Sequence, residues 1–514
     1  MKSLHYNIAI TLILVTLTAC KVKPSDTPTV AAQSPISSAT PEPAVEAAAV
    51  TQAEPESTLT PTETAIPTES PTASSTPTTP PRPEIQYVFS TDLDYAALKL
   101  TVAQFISIPN KSATSLNEIM LIVPPNLYQG AFQLTSITWE NGLEITDHNL
   151  RGSQMYIPLQ EPLDPGETIN IFIYFDLFLP PNNSSAEAGP TPFGYTSRQI
   201  NLVDWYPFVP PYEDGKGWMM RDPWAYGEFL VYPIANYDVT IKLKNLPQTV
   251  TIATGAPDIG DGETHRYRIE KGRNFVWSIS QYYTMFEEQV NGTTIRGYVF
   301  QPDIVAGEEA FYATVNAFEL YSELYGPYPH PMLTMVEADF DHGMEYQSLY
   351  FLNRGFFSSY DGTAGSFLIA IAAHETSHQW WYGMIANDQA QEPWLDEALA
   401  TYSEYLFYEY YYPDRLDDFW WDRRVNPYHP SGWVNSTIYG AEGYREYRDA
   451  VYLQGAIFLH DLRNLIGNEA FFAFLQEYVS VYSNQIATGN DFFRILAGHT
   501  NADFGPLLTI YFQR

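Results

Sequence analysis

The sequence predicts an α+β protein of several domains, in which an all-β sandwich domain precedes a mixed α+β domain. Two observations support this prediction. Between residues 87 and 300, short runs alternate apolar and polar side chains and are separated by Pro, Gly and Asn, which is typical of strands in a sandwich. From residue 301 onward, the apolar side chains recur with a helical period instead. At 514 residues, the chain can hold two or three domains with their own cores.

The composition excludes some classes of function. The formal net charge is −34, so the chain offers no basic surface for phosphates, and nucleic acid is not an expected partner. Cys20 is the single cysteine, so the folded part can form neither a disulfide nor a thiolate metal site. Any metal ion must therefore be held by His and carboxylate side chains. The sequence gives no evidence of an obligate protein partner.

Residues 1–20 are typical of a lipoprotein-type signal peptide. Lys2 precedes an apolar run, residues 8–17, that is too short to span a bilayer. The following Thr-Ala-Cys20 completes a segment that resembles the bacterial lipobox, in which the cysteine is lipidated. We expect a secreted protein, lipid-anchored through Cys20 at the extracytoplasmic face of the cell membrane. The alternative is ordinary signal cleavage beside an incidental cysteine.

Residues 21–86 are predicted to form a disordered tether rich in Pro, Thr and Ser. Residues 21–84 contain no aromatic side chain and hold 13 of the 39 prolines, so they cannot bury a core. The tether would hold the folded domains away from the membrane.

The β-sandwich domain is predicted over residues 87–300. Runs at residues 98–102, 169–175 and 237–243 have the two-residue period of half-buried strands. No residue of this region is expected to carry chemistry by itself.

The second domain is predicted over residues 301–514. Residues 306–325 have the pattern of an amphipathic helix that ends at Gly326 and Pro327, and an edge strand is predicted near residue 335. Further helices are predicted at residues 393–412, 450–466, 469–481 and 492–497.

A His-Glu-x-x-His motif lies inside this second domain. Residues four apart share one face of a helix, so His374 and His378 can both reach one metal ion. Glu375 follows the first histidine, where a carboxylate can hold and deprotonate a water molecule. Apolar residues precede His374, and Gly383 follows the motif as a stop signal. Both features fit a helix. The alternative is a buried helix with two hydrogen-bonded core histidines.

Glu397 is the candidate for a third metal ligand. A catalytic zinc ion has three protein ligands and one open position, and eighteen residues separate the second histidine from Glu397, which lies in the run Trp-Leu-Asp-Glu. Thr401 and Glu404 lie four and seven residues after Glu397 on the same helical face. One of these two side chains is a candidate to orient a ligand histidine, and an ordinary exposed or structural role is the alternative.

Together these residues resemble the aminopeptidase N family of zinc metallopeptidases, which belongs to the gluzincins. The resemblance rests on the His-Glu-x-x-His motif, the position of Glu397, the run Gly343-Met344-Glu345 and the run Tyr452-Leu-Gln-Gly. Segments 205–215 and 235–243 also resemble the amino-terminal β domain of that family. The resemblance covers roughly residues 87–514 and implies a thermolysin-like α+β catalytic domain after the sandwich.

The resemblance also implies roles for individual residues. His374, His378 and Glu397 would bind one Zn²⁺ per chain, and Glu375 would act as the general base. The phenol of Tyr452 would stabilise the oxyanion, and Glu345 would bind the free α-amine of a peptide. The expected substrates are therefore peptides with a free amino terminus.

Three departures from the family pattern leave alternatives open. Tyr346 replaces the usual Asn after the glutamate, which changes the shape of the first subsite, and Gln454 replaces a frequent Lys. The chain is also expected to be a short form without the carboxy-terminal helical domain, which would leave the site more open. A zinc endopeptidase of broad cleavage mode is the first alternative, a non-catalytic surface binding protein is the second, and a non-peptide hydrolase is a minor third.

Overall fold

The computed structural model describes residues 83–182, 192–340 and 343–513. The predicted signal peptide and Cys20 lie outside these ranges, as does the tether up to residue 82. The first strand begins at Ile85, so it includes the last two residues, 85 and 86, of the predicted tether. Within the described ranges, no helix is long and apolar enough to cross a membrane.

A six-stranded sheet forms the largest element of the amino-terminal part. Its strand order is β14-β12-β1-β2-β7-β4, with β1 parallel to β12 and antiparallel to β2. Buried and exposed residues alternate along β1 and β7, so one face of the sheet packs on the core. The strands up to residue 300 are β1 Ile85–Asp94, β2 Lys99–Pro109, β3 Leu116–Ile122, β4 Phe132–Trp139, β5 Asn149–Arg151, β6 Gln154–Leu163, β7 Thr168–Phe178, β8 Gly194–Tyr195, β9 Ile200–Leu202, β10 Tyr212–Glu213, β11 Gly217–Trp218, β12 Ala235–Lys244, β13 Thr251–Thr254, β14 His265–Gly272, β15 Trp277–Ser280, β16 Tyr283–Val290 and β17 Thr293–Phe300.

Two smaller sheets pack on the same core. They have the strand orders β3-β6-β5 and β13-β15-β9-β8. Their inward side chains, such as Ile119 and Trp277, belong to one hydrophobic cluster with Tyr87 and Ile171 of the large sheet. The packing of antiparallel sheets on one core agrees with the predicted sandwich.

A mixed five-stranded sheet carries the second part of the chain. Its order is β16-β17-β18-β20-β19, where β18 is Met332–Ala338, β19 is Met344–Tyr346 and β20 is Leu349–Asn353. The prediction of an edge strand near residue 335 is wrong, because β18 lies between two parallel neighbours and all seven of its residues are buried. The predicted boundary at residues 300 and 301 stays a prediction, and this sheet extends across it.

The helices of the second part agree closely with the predicted positions. The first begins at Ile304 and ends at Tyr325, and the next residue, Gly326, has a φ of 119° that favours glycine. The observed helices are α1 Ile304–Tyr325, α2 Arg354–Ser358, α3 Phe367–Ser377, α4 Trp394–Tyr411, α5 Tyr444–Arg448, α6 Gly455–Ile466, α7 Asn468–Tyr482, α8 Gly489–His499 and α9 Gly505–Tyr511. A short parallel pair, β21 Ile385–Ala386 and β22 Gln485–Ile486, joins the loop after α3 to the loop after α7. The predicted α+β class, with sheets first and helices after them, is confirmed.

Two segments have the wider turns of a π-helix. They span Leu416–Val425 and Asp449–Gln454, and the second leads directly into α6. The sequence pattern predicts an α-helix from residue 450, whereas residues 450–454 have π-helical turns. Such turns are uncommon in proteins and occur frequently at functional sites.

Arg273, which follows β14, is a fully buried cation with an unusual set of partners. Its guanidinium donates hydrogen bonds to the carbonyl oxygens of Tyr232, of residues 382–384 and of Gln485, over 2.8–3.2 Å. Burial lowers its pKa to about 10, which still leaves it charged at neutral pH. Arg273 therefore joins the sandwich core to the loop that follows α3.

We expect the Arg273→Met variant to lose roughly 3 kcal/mol or more of its free energy of unfolding, because each buried carbonyl left unpaired costs about 1–3 kcal/mol. Urea unfolding followed by tryptophan fluorescence measures the loss. Arg268→Met is the matched control, because this arginine is largely exposed and pairs with Asp238 at the surface. It should change the free energy by less than about 1 kcal/mol. Equal midpoints for the two variants would contradict the role assigned to Arg273.

Candidate active site

Helix α3 presents the two motif histidines from a buried position. Ser366 caps its first turn by accepting a hydrogen bond from the amide of Leu368, and the apolar residues that follow are packed in the core. The chain is still in a helical conformation at His378, which caps the carboxyl end. The Nε2 atoms of His374 and His378 therefore face one another 3.1 Å apart.

Glu397 meets both histidines from the first turn of α4. Its Oε2 atom lies 3.3 Å from Nε2 of His374 and 3.6 Å from Nε2 of His378. Burial opposes ionisation of this carboxyl group, but the two histidines and the amino end of α4 favour it, and its pKa is lowered. The Oε2 atom has no hydrogen-bond partner in the described part of the chain. Two imidazoles and one carboxylate converging on one point fit a zinc ion.

Each histidine is held by its outer nitrogen. Nδ1 of His378 donates to the carbonyl of Trp381 at 3.0 Å, and Nδ1 of His374 donates to Glu404 at 2.9 Å. Nε2 is then the lone-pair nitrogen that a metal ion requires. Of the two partners considered from the sequence, Glu404 is confirmed. The hydroxyl of Thr401 has no hydrogen-bond partner among the described residues.

Arg424 also belongs to this series of hydrogen bonds, although no sequence pattern indicated it. It lies in the first π-helical segment and donates two hydrogen bonds of 2.8 Å to the carboxylate of Glu404. The charge of Arg424 and its hydrogen bonds lower the pKa of Glu404, so this carboxylate stays ionised although it is completely buried. Because Arg424 lies in an irregular segment twenty positions beyond Glu404 of α4, no periodic pattern connected the two residues.

Glu375 lies beside the histidines on α3 and faces the same space. Its Oε2 atom is buried without a hydrogen-bond partner in the described ranges, and burial raises the pKa of the carboxyl group. A Cβ atom at Gly343 would lie 3.2 Å from Oε1 of Glu375, so the glycine leaves room beside the carboxylate. A carboxylate in this position can accept a proton from a molecule bound at the histidines.

Tyr452 borders the site from the second π-helical segment. Its hydroxyl donates to Oε1 of Glu397 at 2.6 Å, and its ring lies parallel to the ring of His374 at 6.2 Å. Glycine is required nearby at residue 455, where a Cβ atom would come within 2.4 Å of the Cβ atom of Ala398 on α4. The close contact at Gly455 brings the segment that carries Tyr452 against α4.

Glu345 lies on the edge strand β19, where Gln389 donates a 3.1 Å hydrogen bond to its Oε1 atom. Glu228, from the stretch before β12, comes to the same place. The carboxylate oxygens of Glu228, Glu345 and Glu397 all lie within 4.8 Å of one another. Burial raises the pKa of Glu228, and repulsion from Glu345 and Glu397 raises it further.

The prediction that residues 87–300 carry no chemistry by themselves stays a prediction, but the fold brings Glu228 from this region to the site. Glu228 lies in a stretch without regular strands, and it has neither a motif nor a spacing relative to the histidines. Only the fold brings it to the site. The structure does bring together all six residues predicted from the sequence, namely Glu345, His374, Glu375, His378, Glu397 and Tyr452.

Comparisons with known proteins agree with this geometry. Residues 309–511 match the model of the peptidase family M1 domain. Aminopeptidase M1-D of Oryza sativa subsp. japonica is 26% identical over 239 residues, which are 43% of this chain and 27% of that protein. Endoplasmic reticulum aminopeptidase 1 of Homo sapiens is 24% identical over 236 residues, or 43% of this chain and 25% of that protein. The matches thus span only about a quarter of these curated relatives.

A solved structure matches over a larger share of the chain. The M1 zinc metallopeptidase from Deinococcus radiodurans superposes with a TM-score of 0.59 and 16% sequence identity. The match covers 83% of this chain and 94% of that one. At this identity, the likeness establishes the shared fold of the sheets and helices.

We expect Glu404→Gln to weaken zinc binding about 10–100-fold, because His374 loses the carboxylate that orients its ring. Competition with a chromophoric chelator measures the affinity without any assay of activity. Thr401→Val is the matched control on the same helix, and it should bind zinc within about twofold of the unmodified protein, since its hydroxyl has no partner within the described ranges. Equal weakening in both variants would show that α4 packing, rather than the Glu404 hydrogen bond, sets the affinity.

Proposed function

We propose that this chain is a zinc-dependent aminopeptidase, and the match of residues 309–511 to the model of the peptidase family M1 domain supports the proposal. One observation carries the proposal. A pair of carboxylates, Glu345 and Glu228, lies beside a cluster of two histidines and a glutamate that can hold a metal ion. The pair fits the α-ammonium group of a peptide, and the cluster fits zinc.

His374, His378 and Glu397 would hold the zinc ion. Bound zinc supplies a Lewis acid that polarises a peptide carbonyl and favours the ionisation of water. In this proposal, Glu375 accepts a proton from the attacking water and then delivers it to the nitrogen of the leaving amine. Its buried position keeps the proton from being lost to solvent between the two steps.

Tyr452 would donate a hydrogen bond to the oxyanion that forms as the carbonyl carbon becomes tetrahedral. Burial raises the pKa of this phenol well above 10, and the nearby carboxylate of Glu397 raises it further. The hydroxyl therefore keeps its proton at neutral pH and can act as a donor. A fixed donor in a buried site stabilises a developing charge more than water does.

Glu345 and Glu228 would set the cleavage position. An ammonium group between the two carboxylates relieves their mutual repulsion and compensates for their burial. Because the carboxylates lie next to the metal cluster, a peptide held by its amine places its first peptide bond at the cluster. Peptides whose amine is blocked lose this interaction and leave two buried carboxylates unpaired.

Acetylation of the substrate's amine tests the proposal. We expect cleavage of aminoacyl anilides that a zinc chelator abolishes, and no measurable cleavage of their N-acetylated forms. Glu345→Gln and Glu228→Gln should each lower kcat/KM by about tenfold to a hundredfold, as expected for the loss of a charge-assisted hydrogen bond. Glu287→Gln is the control, since that carboxylate pairs with Arg296 on the sheet β16-β17.

Other outcomes would select the alternatives. Equal cleavage of free and acetylated substrates would favour a zinc endopeptidase and remove the amine-binding role of Glu345 and Glu228. Zinc binding without cleavage of any peptide in a broad panel would favour a non-catalytic surface binding protein.

We further propose that the protein is lipid-anchored at the extracytoplasmic face of the cell membrane through Cys20. The support is the lipobox-like segment at residues 17–20 and the position of the single cysteine within it. Labelling of cells with a radioactive fatty acid should mark the protein, and Cys20→Ser should abolish both the label and its membrane association. Thr18→Ser is the control and should keep both. Label-free protein released from the membrane would contradict the anchor.

A further inference from the structure

A cavity of about 40 Å³ lies beside Glu345. Its apolar walls are Phe229, Leu230 and Met344, and the amine-binding candidates Glu228 and Glu345 also border it. We call this space the side-chain pocket. By the volume that one water requires, it has room for roughly three water molecules or for a slender side chain in their place.

The side-chain pocket has a second charged feature, Asp204. This carboxylate is 5% exposed and accepts hydrogen bonds from the hydroxyls of Tyr232 at 2.6 Å and Tyr346 at 3.2 Å. Within the described part of the chain, no ion pair includes Asp204. Burial raises its pKa to about 6, so the group is mostly ionised at neutral pH.

Two hydroxyl donors leave Asp204 only partly satisfied. A carboxylate offers about four acceptor positions, and neither neutral tyrosine cancels its charge. A buried anion without a cation carries a large desolvation cost, which a cation entering the same cavity would offset. The missing partner of Asp204 is therefore a positive charge that arrives with a ligand.

The geometry of an amino acid relates the amine-binding candidates to Asp204, which lines the same cavity. The α-amine and the side chain leave the same carbon atom, so an amine bound by Glu345 and Glu228 directs the side chain into the pocket they border. A lysine or arginine side chain would lay its methylene groups along the apolar walls and carry its charge toward Asp204.

We propose that Asp204 selects peptides with a basic amino-terminal residue, acting as the counter-ion of the lysine or arginine side chain in the side-chain pocket. The inference rests on the proposed aminopeptidase function. It also assigns a role to Tyr346, the residue that departs from the family pattern. Tyr346 is a positioning residue that holds the Asp204 carboxylate at the pocket.

Three substrates test the proposal in the unmodified protein: the anilides of lysine, Nε-acetyllysine and norleucine. They share the aliphatic chain and differ in charge. We expect kcat/KM for lysine to exceed that for each uncharged substrate by about tenfold or more, the size of one charge-assisted hydrogen bond. Equal values for lysine and norleucine would overturn the proposal without any variant, so the test does not depend on how a variant folds.

Asp204→Asn should reduce the ratio of lysine to norleucine to near one. Asp258→Asn removes a carboxylate that pairs with His265 outside the pocket, and it should keep the ratio of the unmodified protein. Tyr346→Phe retains the charge and loses one hydrogen bond, so an intermediate ratio is expected. A purely structural role of Asp204 would lower the rates for both substrates equally and leave the ratio unchanged.

Binding measurements separate this proposal from the proposed function. Calorimetry on the Glu375→Gln protein compares free L-lysine with L-norleucine, and we expect lysine to bind about tenfold more tightly in an Asp204-dependent manner. Cleavage of norleucine anilide without a preference for lysine would leave the aminopeptidase intact and remove the selectivity. Tighter lysine binding with no cleavage of any free-amine substrate would keep the selectivity and remove the proposed aminopeptidase function. Equal binding of the two amino acids overturns the selectivity in either case.

Discussion

The candidate active site depends on the contact between α3 and α4, because these two helices carry all three candidate metal ligands. A buried chain of charged hydrogen bonds holds the contact, running from Arg424 through Glu404 to His374. In a low dielectric such bonds are strong, and an unpaired member is costly. The metal cluster, the base and the phenol are therefore positioned by the same interactions that pack the helices.

The negative charge of four glutamates explains why positively charged ligands would stabilise the candidate active site. Glu228, Glu345, Glu375 and Glu397 share one small space, and repulsion between them adds to the cost of burial. Few arrangements of side chains can relieve so much like charge. Under the proposed function, a metal ion and an ammonium group would do so together, which would link the affinity for zinc to the affinity for a peptide amine.

Sequence patterns predicted those parts of the site that lie on regular elements. The histidines follow from a helical spacing, and Glu397 and Tyr452 follow from family motifs. Glu228 and Arg424 were missed because they lie in irregular segments whose position only tertiary contacts determine. The strand near residue 335 was placed at an edge because its neighbours, β17 and β20, could not be recognised from local periodicity.

The position of β17 has a consequence for any attempt to divide the chain. This strand ends at Phe300 and pairs in parallel with the fully buried strand β18. A fragment that begins at residue 301 would leave β18 with a free row of backbone donors and acceptors along an apolar surface. Such an edge is a template for pairing with other chains, so the isolated fragment would self-associate. Residues 293–300, which form β17, thus protect this edge of the second part.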